Sequence, residues 1–275
     1  NNLGYVNKTV VGAPIACFYG WKTAGIMTEA DFNEDGSPKV PVFSSGSTYT
    51  PGDMKFVDVN GDGVIDDNDR TFIGNPNPDF YYGFNINMEY KGFDLSMFFQ
   101  GVAGNEIYDV TRYFRYSNVS YSGGWENLNY LSFSNVSEDY FDKVWRPVPD
   151  PANPSYRDHW GANLNGTVPL PSSDGTKNEM NFRNSDFYIQ DGSYLRLKNI
   201  QLGYTFPKKW VNKLSVSNLR VYASATNLFT ITSYDGLDPE VGKTSGQESN
   251  NLYLGIDQGV YPQARSYMFG VIIDF

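Results

Sequence analysis

Apolar and polar residues alternate along several stretches of the chain, and this alternation predicts β-strands with one apolar and one polar face. The clearest stretch is 267–275, where every second residue is apolar and the last one is Phe275. A strand of about nine to eleven residues with an unbroken apolar face is long enough to cross the tilted wall of a membrane barrel. This segment is therefore the strongest indication in the sequence that the protein lies in a membrane.

Two further alternating stretches, 80–90 and 93–101, are separated only by Lys91-Gly92. This is the spacing of a β-hairpin with a two-residue turn. Such a turn places Phe84 opposite Phe99, Ile86 opposite Met97, Met88 opposite Leu95 and Tyr90 opposite Phe93, all on one face. Phe98 is the exception to the alternation. Pattern and turn agree on the register, so we expect this hairpin with that pairing.

Two more strands are predicted in the second half of the chain, at 219–230 and 194–206. The second stretch changes phase along its length, and a β-bulge near Lys198-Asn199 would restore the alternation. Residues 15–19 are expected to contribute to another strand. These stretches predict an all-β chain of about five or six strands.

Strands with one apolar face fit two architectures, and the connections between them decide between the two. In a soluble sandwich the apolar faces pack together, whereas in a membrane barrel they face lipid around a polar lumen. Short connections at 91–92 and 207–218 alternate with long polar ones at 102–193 and 231–265. Outer-membrane barrels have short periplasmic turns and long extracellular loops, so we expect a large antiparallel transmembrane barrel.

Composition removes several other classes of protein. The formal net charge of −10 argues against binding to nucleic acid or to an anionic lipid surface as a whole. The sequence has no run of about 18 apolar residues, so no transmembrane helix is expected. The chain has one cysteine and one histidine, so neither an internal disulfide nor a cysteine-based metal site is expected. No leader sequence is recognisable at its start, which suggests a processed protein or the later part of a longer one.

Residues 58–69 match the calcium loop in which oxygen ligands recur at fixed spacing around a central glycine. Gly63 stands where the sharp turn needs glycine, and Ile65 is expected to anchor the loop on the apolar interior. The last position is aspartate instead of the usual glutamate, so we expect weak affinity, about 10⁻⁴–10⁻³ M as in extracellular sites. The alternative is a pair of turns with solvated carboxylates. The predicted ligands of a structural Ca²⁺ are Asp58, Asn60, Asp62, Val64 through its carbonyl, Asp66 and Asp69.

The segment 102–193 is rich in Asn, Ser, Gly, Pro and aromatic residues. Exposed aromatic rings stack on sugars or hold apolar peptide side chains, whereas the simpler interpretation is that they pack the loop against its neighbours. The candidate substrate-binding residues are Trp125, Tyr130, Trp145 and Trp160. No catalytic motif is recognisable, and His159 lies in a proline-rich segment, so we do not expect an enzyme.

Several segments resemble a known family, and they follow one another in the order found there. They include Tyr-Leu-Arg-Leu-Lys-Asn-Ile at 194–200 and Gly-Leu-Asp-Pro-Glu at 236–240. The others are 12–20, 51–56, 58–78, 90–95, 98–101, 202–204, 219–222, 227–229 and 261–262. Together they resemble the C-terminal part of SusC/RagA-type TonB-dependent outer-membrane transporters of Bacteroidetes.

The resemblance implies a barrel of about 22 strands with an N-terminal plug. It further implies a SusD-like surface lipoprotein as partner, the TonB complex as energy source, and an oligosaccharide or peptide as imported ligand. The plug and most of the barrel are not in this chain, and an open sheet edge in lipid leaves backbone groups unpaired. We therefore expect 1–275 to function with the remainder of the barrel and plug.

In this interpretation 21–77, 102–193 and 231–265 form extracellular loops at the barrel mouth. The lumen-facing residues are expected to include Asn85, Asn87, Ser96, Gln100, Ser224 and Thr226. The competing hypothesis is a secreted calcium-binding β-sandwich, either an adhesin or a carbohydrate-binding module. It requires the apolar strand faces to form a closed core.

Overall fold

A computed structural model of the chain describes residues 6–43, 48–116, 119–121, 131–133, 137–152, 160–170, 179–211, 215–241 and 253–275. They fall into two compact units. The sheet unit comprises Asn77–Ile107, Gln190–Gly242 and Gly259–Phe275, and the loop unit comprises Asn1–Pro76, Tyr108–Ile189 and Lys243–Gln258. Each unit is assembled from three separate stretches of chain, so neither is a contiguous domain.

Strands dominate both units, and the described helices are short. The strands are β1 (Asn7–Lys8), β2 (Cys17–Gly20), β3 (Thr23–Ile26), β4 (Met54–Phe56), β5 (Thr71–Gly74), β6 (Phe80–Tyr90), β7 (Phe93–Ala103), β8 (Glu106–Asp109), β9 (Val119–Tyr121), β10 (Leu131–Phe133), β11 (Ile189–Asp191), β12 (Tyr194–Thr205), β13 (Asn218–Thr226), β14 (Thr230–Thr232), β15 (Ile256–Asp257) and β16 (Ser266–Asp274). The α-helices are α1 (Val110–Tyr116), α2 (Glu138–Lys143) and α3 (Lys208–Val211), and short 3-10 turns occur at Glu29–Asp31, Asp67–Asp69 and Asp186–Tyr188. Within the described ranges, no helix is long and apolar enough to cross a membrane.

The sheet unit is one antiparallel sheet in the order β16-β13-β12-β7-β6. Strand β14 pairs with the first residues of β12, Tyr194 to Arg196, and β13 pairs with the later ones. The predicted hairpin is confirmed, because β6 and β7 pair Phe84 with Phe99 and Tyr90 with Phe93. The all-β prediction is likewise confirmed. Strand β6 and strand β16 are the two edges of this sheet.

The predicted bulge is also confirmed. The pairing of β12 with β7 shifts register between Leu197 and Asn199. One extra residue there reverses the alternation, so Leu197 and Ile200 both pair with apolar residues of β7.

The predicted strand 219–230 is interrupted, which the sequence pattern did not indicate. Strand β13 ends at Thr226, and Asn227 adopts the left-handed region with φ 51°. The chain then continues as β14 along the same neighbour, with the Leu197 amide donating to the Phe229 carbonyl at 3.1 Å. Asparagine tolerates this conformation better than most residues, so a local turn costs little at this position.

The loop unit has a core of its own. One buried cluster joins Trp21, Phe43 and Ile65 from the first long segment with Trp145 and Met180 from the second. A further cluster includes Ile256, which comes from the last long segment, beside Phe18 and Tyr108. The three segments predicted as separate loops thus contribute to a single packed unit.

The hairpin turn supplies the first testable prediction. Lys91 and Gly92 have φ 48° and 89°, the left-handed pair that a type I′ turn requires. A Cβ atom on Gly92 would lie 2.7 Å from the Thr205 carbonyl oxygen. We expect Gly92→Ala to destabilise the intact barrel by about 1–3 kcal/mol, measured by thermal unfolding of the detergent-purified receptor.

The matched control is Lys91→Asn, because asparagine accepts positive φ without a new contact. It should unfold at the wild-type temperature or slightly above it. Equal unfolding temperatures for Gly92→Ala and wild type would show that the turn geometry is not a constraint.

Candidate functional site

One face of the sheet is apolar from edge to edge. The register aligns the apolar residues in rows that cross all five long strands, so that Met88, Leu95, Leu202, Ala223 and Phe269 form one such row. Most of these side chains are exposed, including Leu202 at 51% and Phe269 at 84%. The sandwich hypothesis places the apolar strand faces in a closed core, whereas here they form an open surface of the described chain.

Aromatic residues concentrate at both ends of this apolar face. Near the short turns, Phe93 and Tyr204 lie 4.5 Å apart between ring centroids, and Phe206 and Trp210 continue the series. Near the long connections, the Phe80 and Tyr82 rings lie 5.8 Å apart, and Tyr267 is exposed. Aromatic girdles above and below an apolar band are typical of outer-membrane barrels.

The opposite face is polar and has room for charged groups. Arg220 donates to both carboxylate oxygens of Asp94 at 3.1 and 2.6 Å. A Cβ atom on Gly203 would collide with this ion pair, so glycine on β12 leaves the space that the pair occupies. The predicted lumen-facing residues lie on this face, where Asn87 pairs with Ser96 and Gln201 pairs with Ser224.

A buried ion cluster on the polar face was missed by sequence reasoning. Arg196 of β12 is 2% exposed, and its guanidinium donates to Asp238 at 2.6 Å and to Glu240 at 2.8 Å. Lys198 donates to the same Glu240 carboxylate at 2.8 Å. Asp238 and Glu240 belong to the Gly-Leu-Asp-Pro-Glu segment, so this cluster fixes the start of the last long connection on the sheet.

Burial of Asp238 raises its pKa, but hydrogen bonds outweigh this effect. Its carboxylate accepts the amides of Gln263 and Glu240 at 2.9 Å each, besides the Arg196 guanidinium. The net result is a lowered pKa, so Asp238 is ionised at neutral pH. The Asp238 carboxylate therefore accepts amides from both ends of the connection 231–265, from Glu240 near its start and from Gln263 near its end.

The calcium-like loop folds around its own backbone amides. Asp58 accepts the amides of Gly61 at 2.6 Å and Gly63 at 2.8 Å. Gly63 has φ 86°, as the predicted turn requires, and Ile65 is buried in the loop-unit core, which confirms its anchoring role. The Val64 amide donates to Asp62 at 2.9 Å.

Asp69 closes this loop. Its carboxylate is fully buried and accepts the Val59 and Asn60 amides at 2.8 and 3.3 Å through one oxygen, and the Asp66 amide at 2.8 Å through the other. Burial raises the pKa of Asp69, but these amides lower it by more, so the net shift is downward. Asp69 thus holds both ends of the loop together.

The oxygen-rich donor set of this loop suits a hard cation such as Ca²⁺. The predicted ligands remain within one short loop, with Asn60 and Asp62 exposed and Asp58 and Asp66 half-buried. In the described part of the chain, no group of three or more His, Cys, Asp or Glu side chains is arranged to hold a metal ion. Both oxygens of Asp69 accept backbone amides, and so do both oxygens of Asp58.

The aromatic candidates do not form a common site in the described structure. Trp145 is 2% exposed and belongs to the loop-unit core, which favours the packing interpretation for this residue. Trp160 is half-buried and its ring lies 5.8 Å from that of Phe141, which is exposed. Trp125 and Tyr130 lie outside the described residues.

Comparison with known proteins identifies relatives along nearly the whole chain. No protein-family model matches it. TonB-dependent receptor P3 of Formosa agariphila is 32% identical over 265 residues, which cover 96% of this chain and 22% of that protein. TonB-dependent receptor SusC of Bacteroides thetaiotaomicron is 32% identical over 227 residues, covering 82% of this chain and 18% of SusC. The chain therefore spans about a fifth of the length of these relatives.

Solved structures show the same fold. The RagAB peptide transporter matches with a TM-score of 0.60 at 19% identity, covering 98% of this chain and 24% of the matched chain. The RagAB peptide importer in its open-open state matches with a TM-score of 0.57 over 99% of this chain. Both the homology and the fold point to one conclusion: the chain belongs to the SusC/RagA-type TonB-dependent receptors and corresponds to the C-terminal part of their barrel.

Proposed function

We propose that the chain supplies the last strands of an outer-membrane importer, whose apolar face contacts hydrocarbon and whose polar face lines the lumen. One observation carries this proposal. Five neighbouring strands present most of their apolar residues on the same exposed face, with aromatic residues at both ends and no charged residue in the rows between. A lipid-facing barrel wall requires this distribution, and a water-exposed sheet would not retain it.

The two edge strands of the sheet indicate that the chain assembles with the remainder of the barrel. Strands β6 and β16 each have a neighbour on one side only in the described sheet. Backbone groups at a free edge are costly in hydrocarbon, so both edges pair with strands outside this chain. The proposed assembly contains those strands and a plug, and it takes energy from the TonB complex.

The proposed partner at the cell surface is a SusD-like lipoprotein. The loop unit contains much of the long connections predicted to be extracellular. These connections form a packed hydrophobic core. A packed surface is better suited than mobile loops to hold a partner in one orientation. The proposed imported ligand is an oligosaccharide or a peptide, and the matched RagAB structures are those of a peptide importer.

We further propose that the loop 58–69 binds one structural Ca²⁺. The proposed ligands, besides Asp69, are the side-chain oxygens of Asp58, Asn60, Asp62 and Asp66 and the Val64 carbonyl; Asn60, Asp62 and Val64 are exposed, and Asp58 and Asp66 are half-buried. Asp69 keeps the loop closed from the opposite side through three backbone amides. A cation at the exposed end would offset the repulsion among the carboxylates and stiffen the loop.

The orientation of the apolar face is tested by paired arginine substitutions on the central strand. Leu202 and Gln201 are adjacent on β12 and lie on opposite faces. Arginine on the lipid face costs about 2–4 kcal/mol at the bilayer midplane and less towards the interfaces, so Leu202→Arg in the intact receptor should reduce the folded protein recovered from outer membranes. Gln201→Arg should assemble like wild type because its side chain enters a polar lumen.

Cell fractionation of the wild-type receptor and of the Leu202→Arg and Gln201→Arg variants completes this test. The wild-type receptor should be recovered in the detergent-extracted outer membrane, and ligand uptake should require the SusD-like partner. Equal tolerance of both arginine variants, with a product that is soluble without detergent, would instead support the secreted sandwich.

The calcium proposal is tested by thermal unfolding of the intact receptor with and without millimolar Ca²⁺. We expect a higher unfolding temperature with Ca²⁺ in wild type and no increase in Asp58→Ala. The matched control is Asp35→Ala, which removes an exposed aspartate from another turn of the loop unit. An absent increase in wild type, or the same increase in Asp58→Ala, would contradict the proposal.

A further inference from the structure

The apolar face is not uniform, because it contains a trough along β13. Its floor is formed by Val221 and Ala223, and Ala223 is small compared with Leu202 and Phe269 on either side of it. Phe93, Leu202 and Tyr204 form one wall, and Phe269 and Val271 form the other. The trough has a volume of ≈ 450 Å³, which is within the range of protein ligand sites.

The trough continues toward the end of the sheet at which Lys208 and Lys209 lie. From its wall, the rings of Tyr204, Phe206 and Trp210 follow one another at centroid distances of 5.0 and 6.5 Å. Trp210 is 61% exposed and belongs to α3, whose first two residues are the exposed Lys208 and Lys209. An apolar channel therefore leads to an amphipathic aromatic residue and two ammonium groups.

The acidic side chains of the long strands at this end lie on the polar face. The Asp94 carboxylate lies on the polar face and is held by Arg220. Glu89 lies opposite Asp94 in the same register and so shares that face. Lys208 and Lys209 follow Phe206 of the aromatic series after Pro207, beyond the end of β12. The net charge of −10 is a property of the whole chain and does not describe this end of the apolar face.

We propose that this trough binds one phospholipid, with an acyl chain along β13 and the phosphate at Lys208 and Lys209. The inference depends on the proposed membrane location. Lys208 and Lys209 lie at the end of the sheet that has the short connections, which in such barrels is the periplasmic end. A phosphate group needs cations at headgroup depth, and aromatic rings with a polar atom favour the same depth.

The test uses the intact receptor, extracted in mild detergent and analysed by native mass spectrometry for retained lipid. Wild type should retain one phospholipid after washing that removes loosely associated lipid. Ala223→Phe fills the floor of the trough and should reduce the lipid-bound fraction at least tenfold. Lys208→Glu combined with Lys209→Glu should reduce it several-fold, while Ile86→Phe and Arg265→Glu should not change it.

The two control variants are matched in chemistry and differ in position. Ile86→Phe adds an aromatic ring to the same face on β6, two strands away from β12. Arg265→Glu reverses an exposed charge at the opposite end of the sheet, next to the start of β16. Millimolar inorganic phosphate should not displace the bound molecule, because the acyl chain supplies much of the contact.

The outcomes separate this inference from the proposed function. A receptor that fractionates with the outer membrane but retains the same lipid in all variants, retains none in wild type, or retains lipopolysaccharide instead, overturns the trough alone. Displacement by inorganic phosphate would overturn the role of the acyl chain. A receptor that is absent from the outer membrane overturns the proposed function as well.

Discussion

Successive side chains of a β-strand point to opposite faces, so hydrogen-bond register determines whether neighbouring apolar stripes merge into one surface. In this sheet each of the four pairings between the five long strands places apolar residues beside apolar residues. A shift of one residue in any pairing would move the entire apolar set of the shifted strand to the polar face. The sequence alternation of β12 changes phase near Lys198. The bulge between Leu197 and Asn199 compensates for this change, so the apolar residues before and after it lie on the same face.

The polar face and the loop unit both depend on charged groups held by ion pairs or hydrogen bonds, of which Arg196, Asp238 and Asp69 are buried. Arg220 with Asp94, and Arg196 with Asp238 and Glu240, occupy the polar face of the sheet. In the loop unit, Asp69 satisfies three backbone amides at once. Removing one partner of such a cluster leaves an uncompensated buried charge, which is far more costly than losing an exposed ion pair. These clusters therefore fix positions that the apolar contacts leave undetermined.

The sequence predicted the sheet well because its signals are local. The period of two, the two-residue turn at Lys91-Gly92 and the change of phase near Lys198 all lie within a few residues of the structure they determine. The loop unit has no such period, and its core joins residues as distant as Phe43 and Trp145, so the sequence suggested separate loops and an exposed tryptophan. Arg196 and Asp238 are 42 residues apart, and no local rule pairs them although both segments resembled the family. The calcium loop lies between these cases: its glycine turn and the Ile65 anchor were predictable, whereas the closure by Asp69 was not.

The most direct test of the account is a spin-label accessibility scan of β16 in the intact receptor, reconstituted in liposomes with Cys17 replaced by serine. Single labelled cysteines at positions 266 to 274 would be exposed to oxygen, which concentrates in hydrocarbon, and to a water-soluble nickel chelate. The account predicts a period of two, with high oxygen and low nickel accessibility at 267, 269, 271 and 273. Equal nickel accessibility at odd and even positions would contradict it, because the apolar face would then lie in water.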